Sequence, residues 1–185
     1  MFCTRKIITD SMNRFEHIDD NELIDLIIQG DLNAFEGLYD RYASKVLKRC
    51  YFICLNATDA RDLMQEVWMR VFLRLHQFQK QSAFSTWLYR LTTNHCLNYI
   101  KARSQTTSVE TTMEIAHITV QDPAHSAEVH NLLSKLSLED RTILAMKYMG
   151  EYTYEEIAIT CDIGVSAAKM RVSRLIEKLR GEVGT

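Results

Sequence analysis

The sequence predicts an all-α fold: two small helical domains joined by a flexible linker, the second of them a helix-turn-helix. Three observations carry that expectation. Apolar residues recur at helical spacing along most of the 185 residues. The chain holds one proline and six glycines, too few breakers for a turn-rich β fold. Between residues 104 and 127 the composition shifts to Ser, Thr and Gln, with no Lys or Arg and with the single proline, Pro123. Such a stretch is long for a loop inside one compact domain and reads as a linker.

Residues 1–18 show no periodicity and read as a loose N-terminal arm. Residues 19–103 form the first domain. Asp20 or Asn21 can cap a helix carrying Leu23, Ile24, Ile27 and Ile28, which Gln29-Gly30-Asp31 ends. Ala34, Phe35, Leu38, Tyr39 and Tyr42 continue at helical spacing, followed by Val46, Leu47, Cys50, Tyr51 and Cys54. Asn56-Ala57-Thr58-Asp59 breaks the pattern, and Thr58 or Asp59 can cap a helix over Asp62–Leu75. On that helix Leu63, Val67, Val71 and Leu75 form the inward stripe, widened by Met64, Trp68 and Phe72. Asp62, Gln65, Glu66 and Met69 stand at i, i+3, i+4 and i+7, so they share one compact polar face edged by a methionine.

After the loop 77–83, Ser85 is the expected N-cap of a helix running to about Ala102. Phe84, Leu88, Leu91, His95 and Tyr99 point inward together, and His95 reads as an interior histidine. Trp87, Arg90, Asn94, Asn98 and Lys101 share another face. An exposed tryptophan beside Arg, Asn and Lys offers a stacking surface, amide hydrogen bonds and phosphate-seeking charge. That face suits nucleic acid.

Past the linker 104–127, residues 128–185 form a second helical unit. Val129, Leu132, Leu133 and Leu136 mark a short helix. Ser137-Leu138-Glu139-Asp140 opens another, through Ile143, Leu144 and Tyr148, stopped by Gly150. Thr153-Tyr154-Glu155-Glu156 is a capping box, Cys161-Asp162-Ile163-Gly164 a turn, and a helix from about Val165 to Arg180 follows. Two short helices about such a turn, the second rich in Lys and Arg, spell helix-turn-helix. Ala168, Val172, Leu175 and Leu179 face inward. Ser166, Lys169, Met170, Ser173 and Arg174 are left for a groove, with Arg171 and Lys178 near phosphates.

The formal charge is −2, so bulk electrostatics do not announce a DNA binder, but the distribution is polar. Val67 to Arg103 carries Arg70, Arg74, Lys80, Arg90, Lys101 and Arg103 with no acid, whereas Asp19, Asp20, Glu22, Asp25, Asp31, Glu36 and Asp40 dominate the N-terminal part. The five cysteines are scattered without CxxC spacing, which argues against a disulfide framework and for a reducing cytosol. Cys50 and Cys54, one helical turn apart, read as small buried hydrophobes rather than ligands. No run approaches the roughly 20 apolar residues of a membrane span. With no nucleophile–base pair, Gly-rich phosphate loop or metal-ligand spacing, neither an enzyme nor a cofactor or small-molecule substrate is expected.

Four stretches together resemble the extracytoplasmic-function (ECF) sigma factors of bacterial RNA polymerase. They are Gly30-Asp31-Leu32-Asn33-Ala34-Phe35-Glu36-Gly37-Leu38-Tyr39, Asp62-Leu63-Met64-Gln65-Glu66-Val67-Trp68, Phe84-Ser85-Thr86-Trp87-Leu88-Tyr89-Arg90 and Tyr152-Thr153-Tyr154-Glu155-Glu156-Ile157-Ala158. The resemblance implies that Asp62, Gln65, Glu66 and Met69 grip the clamp helices of the polymerase's largest subunit. It implies that Lys80, Trp87, Arg90, Asn94, Asn98 and Lys101 open the −10 promoter element and hold the exposed strand. Ser166, Ala167, Lys169, Met170, Arg171, Ser173, Arg174 and Lys178 would read the −35 element, and an anti-sigma factor would be a further partner. Three stretches depart from the family, one of them where Ser137 or Leu138 replaces a customary proline before the first helix of the second domain. Ser166-Ala167-Ala168-Lys169-Met170 stands where Gly-Thr-Val-Lys-Ser is usual, and Asp162 replaces a turn glycine. The rival readings are a stand-alone helix-turn-helix regulator, which would bind promoters without polymerase, and a helical metal protein using Cys50, Cys54 and the histidines.

Overall fold

A computed structural model describes residues 15, 17–106, 123–150 and 152–183. Most of the expected arm and of the expected linker therefore lies outside the described residues. Those described are all-α: α1 (Asp20–Ile28), α2 (Asn33–Cys54), α3 (Ala57–Arg74), a 3-10 turn (Leu75–Gln77), α4 (Phe84–Thr106), α5 (Pro123–Ser134), α6 (Leu138–Met149), α7 (Tyr154–Cys161) and α8 (Val165–Val183).

In the first unit α2 lies against α1, α3 and α4, and their inward stripes make one core. Leu23, Ile24, Leu38, Val46, Cys50, Ile53, Leu63, Val67, Val71, Phe84, Leu88 and Cys96 are all sealed within it. Each large apolar side chain so buried contributes about 1.5–3 kcal/mol relative to exposure. The packed chain begins earlier than the sequence suggested. Phe15, assigned to the loose arm, is buried in this core. It nests against Gly37, where a Cβ would lie 2.9 Å from the Phe15 Cβ. Arg41 fixes the segment by donating to the carbonyls of Ile18 (2.8 Å) and Phe15 (3.3 Å) and pairing with Asp20 (2.5 Å).

Helix ends shift by a residue or more from the expected ones because other side chains supply the caps. Asp19 accepts from the Glu22 N–H at 2.9 Å, ahead of Asp20 and Asn21. Asn56 accepts from the Asp59 N–H at 2.9 Å, so α3 starts at Ala57 rather than Asp62. α4 begins at Phe84, which places Ser85 inside the helix. α4 is also buried more broadly than its predicted stripe, since Thr92, Thr93 and Cys96 are sealed. The second unit packs through α6 on both α2 and α4.

The second unit is built as its capping signals foretold. Ser137 accepts from the Asp140 N–H at 3.1 Å. Thr153 and Glu156 exchange both bonds of the capping box, at 3.2 and 2.9 Å. Asp162 takes the left-handed φ of 52° at the turn, with the Ile163 N–H reaching back to the Ala158 carbonyl at 3.0 Å. A short side chain that tolerates this region explains why the turn survives without glycine. Ile143, Met146, Tyr152, Ile157, Ala158, Ala168 and Val172 form the helix-turn-helix core.

Candidate nucleic-acid interface

The side chains of α3 and α4 that escape the core make two faces. On α3, Asp62, Gln65, Glu66 and Met69 are exposed together as the spacing required. The sequence missed two neighbours: beside Met69, which is 65% exposed, Phe72 and Leu73 are 48 and 62% exposed, and Phe72 stands edge-on to Phe35 at 5.5 Å between ring centroids. An apolar strip thus runs beside the acid–amide face. Phe72 was expected inside. The core stripe of α3 is filled by Val67, Trp68 and Val71, which leaves Phe72 at its margin.

Next to that face, past Arg70 and Arg74, lies a cavity of about 370 Å³ lined by Arg70, Arg74, Gln77, Trp87, Arg90, Leu91, Asn94, His95 and Asn98. Four of the predicted strand-holding residues, Trp87, Arg90, Asn94 and Asn98, come together here. Trp87 is half-buried rather than exposed. One side of its ring packs on Phe78 (5.6 Å) and Phe84 (5.8 Å), and the rest lines the cavity. Arg70 and Arg74 add charge from α3 that sequence reasoning counted but did not assign to the site. Their spacing, four and eight residues beyond Glu66 on the same helical row, was the available signal.

Two other predicted members stand apart. Lys80, at a left-handed φ of 55°, pairs through Nζ with Asp25 Oδ1 at 2.6 Å. Lys101 lines a separate cleft with Leu97, Glu139, Thr142, Cys161 and Arg171. It keeps the azimuth of Arg90 and Asn94 but stands further along α4, roughly 16 Å beyond Arg90, where Glu139 and Arg171 of the second unit flank it.

His95 joins the two faces. Its imidazole is buried, and Nε2 lies 2.7 Å from Glu66 Oε2, a close approach short of an aligned hydrogen bond. Burial and the nearby Arg70 hold the His95 pKa below its ordinary value, opposed by Glu66.

On α8, Ser166, Ala167, Lys169, Met170, Ser173, Arg174 and Lys178 are exposed, while Ala168, Val172 and Leu175 are buried as expected. Lys169 Nζ stands 5.7 Å from the Tyr154 ring centroid. Arg171 departs from the expectation. It donates through Nε to Asp140 (2.8 Å) and through Nη2 to Glu139 (2.9 Å), so this guanidinium clamps α8 to the start of α6. Those carboxylates push its pKa up. Among the described residues no cluster of three or more His, Cys, Asp or Glu could hold a metal ion, and no helix is long and apolar enough to cross a membrane.

A family model for Sigma-70 region 2 matches residues 38–106, and one for Sigma-70 region 4 matches residues 126–179. The chain is 29% identical over 171 residues to the ECF RNA polymerase sigma factor SigW of Bacillus subtilis, covering 84% of this chain and 91% of that protein. The chain belongs to the ECF sigma-factor family. It is also 27% identical over 176 residues to the RNA polymerase sigma-H factor of Pseudomonas aeruginosa, covering 86 and 91% of the two chains. Two solved structures share its fold. CnrH in complex with the cytosolic domain of CnrY superposes with TM-score 0.59 at 21% identity, over 88% of this chain and 95% of the other. RpoE in complex with the anti-sigma factor NepR from Bartonella quintana gives TM-score 0.62 at 19% identity, over 83 and 99%. As a sigma factor, the chain serves transcription initiation, working with core RNA polymerase on promoter DNA.

Proposed function

We propose that this sigma factor divides its labour between the faces of α3, α4 and α8. Asp62, Gln65, Glu66 and Met69, extended by Phe72 and Leu73, take the clamp helices of the polymerase. The cavity of Arg70, Arg74, Trp87, Arg90, Asn94 and Asn98 holds the unpaired strand of the −10 element. Stacking a base on Trp87 and neutralising phosphates beside it offsets the few kcal/mol, roughly, that unstacking costs. The exposed row Ser166, Ala167, Lys169, Met170, Ser173, Arg174 and Lys178 reads the −35 duplex, with Met170 supplying an apolar contact where the family has a hydroxyl. Two working units end and begin with α4 and α5, which reach three and five residues into the expected linker 104–127, and the segment between those helices acts as their tether. The protein acts in the cytoplasm, without enzymatic activity or cofactor. An anti-sigma partner fits the reading, since one solved relative is a sigma factor in complex with an anti-sigma factor.

The observation that carries the reading is that a carboxylate–amide face and an arginine-lined, tryptophan-bearing cavity flank the same helix and meet at Glu66 and His95. The test is reconstituted transcription. Core polymerase with this chain initiates at a cognate promoter, and core alone does not. Tight promoter binding by the chain without polymerase would favour the stand-alone regulator instead.

A further inference from the structure

Glu66 has a cation within reach on its own helix and is not paired with it. Arg70 stands four residues further along α3, the spacing at which an acid and a base meet on a helix surface. Both side chains line one surface groove, together with Met69, Leu73 and Arg74. Among the described residues, however, no ion pair joins them, and Glu66 is drawn across to α4 instead. Its Oε2 lies 2.7 Å from His95 Nε2.

The two partners differ in how firmly they are held. His95 is buried along with Thr92, Thr93 and Cys96 of the same helix, so its ring is fixed, while the Glu66 side chain is 54% exposed. A carboxylate oxygen this close favours the tautomer that carries the proton on Nε2. An exposed intrahelical ion pair is weak, so one polar contact from a fixed ring is enough to decide where the carboxylate rests. The three groups sense one another: burial lowers the His95 pKa most, Arg70 lowers it further, and Glu66 raises it. The outcome is a division of charge. The Arg70 guanidinium lines the basic cavity, and the Glu66 carboxylate stays with Asp62, Gln65 and Met69.

We propose that His95 is a positioning residue that keeps Glu66 from pairing with Arg70, so that the acid serves the polymerase face and the base serves the strand cavity. The inference rests on the reading of Asp62, Gln65, Glu66 and Met69 as the surface that takes the polymerase. A buried ring does not reach that partner, and His95 acts on it through Glu66. Loss of the imidazole therefore weakens polymerase binding, and removal of Arg70 reverses the loss.

Titration of core RNA polymerase into the full chain, carrying a dye at its N-terminus and with no DNA present, reads the polymerase face. His95→Phe keeps a ring and removes both nitrogens, and it lowers affinity about threefold, or about 0.7 kcal/mol. His95→Gln, whose amide N–H can take the place of Nε2–H, keeps the native affinity. In an Arg70→Gln background His95→Phe has no further effect, because the competing guanidinium is gone. His95→Met supplies a second apolar variant should His95→Phe lose helicity. A loss of equal size with and without Arg70 shows that His95 acts through the fold, and it overturns the inference. Native affinity in His95→Phe, where Glu66→Ala binds weakly, overturns the inference and leaves the polymerase face standing. Native affinity in Glu66→Ala overturns that face and the inference with it.

Discussion

His95 Nε2 stands 2.7 Å from Glu66 Oε2, a polar pair that joins the acid–amide face of α3 to α4, as Arg103 on Asp59 does nearer the start of α3. Desolvation and Arg70 outweigh Glu66 and hold the imidazole neutral in the folded chain. A histidine with a lowered folded pKa binds its proton more readily when unfolded. Its stability contribution is therefore present above the ordinary histidine value of about 6.5 and is lost as pH falls below it. Urea midpoints taken down through that range should fall for the native chain. His95→Gln should flatten the slope, and an unchanged slope would assign the pH dependence elsewhere.

Charge reversal at Asp62 and Glu66 together should weaken binding to core polymerase at least tenfold, about 1.4 kcal/mol. Asp62 is exposed and Glu66 is largely so, and surface changes of this kind leave folding within about 0.5 kcal/mol. Titration of labelled polymerase checks the first part, and thermal melting the second. Equal affinity for both forms would show that polymerase does not use this face.

Trp87→Ala should lower open-complex formation more than duplex binding, by the roughly 1–3 kcal/mol that a stacked base contributes. The same change also loses contacts with Phe78 and Phe84, so some stability goes with it. Arg70→Gln with Arg74→Gln avoids that difficulty, because both side chains are exposed. Their removal should shallow the log–log salt dependence of single-strand binding by about 0.7 per charge. A slope that does not move would place the strand outside the cavity.

The two arginines of α8 should behave differently. Arg174→Ala should weaken duplex binding at the −35 element by about 1 kcal/mol or more with little change in melting. Arg171→Ala should instead lower stability by about 1 kcal/mol, since it removes a two-thirds-buried guanidinium that pairs with the largely buried Asp140 and the exposed Glu139. Duplex titrations and melting curves on both variants decide between them. Reversed behaviour would return Arg171 to the DNA.

What the sequence made legible was local. Capping boxes, the turn at Asp162 and the stripes of α3 and α8 depend on neighbours a few residues apart, and Thr153, Ser137 and Ala168 stand where their spacing put them. The misses came from contacts distant in the chain. Nothing near Arg171 in sequence announces Glu139 and Asp140, and nothing near Lys80 announces Asp25. Trp87 was placed on the right helix face, but its aromatic neighbours Phe78 and Phe84 make it half-buried. The cavity likewise needs α3 and α4 side by side before Arg70 and Arg74 can join Arg90. Phe15 was hidden by the absence of any periodicity around it, since one anchoring ring makes no pattern.

Helix α6 is hemmed in by three groups of neighbours. Ala145 fits into one, Ile143 and Met146 into another, and Leu144 into a third. Of its twelve residues, Glu139 and Tyr148 are the two that face water. A saturation library over α6 should therefore tolerate replacements at Tyr148 and few elsewhere, because a side chain reshaped for one neighbour would be misfitted to the next.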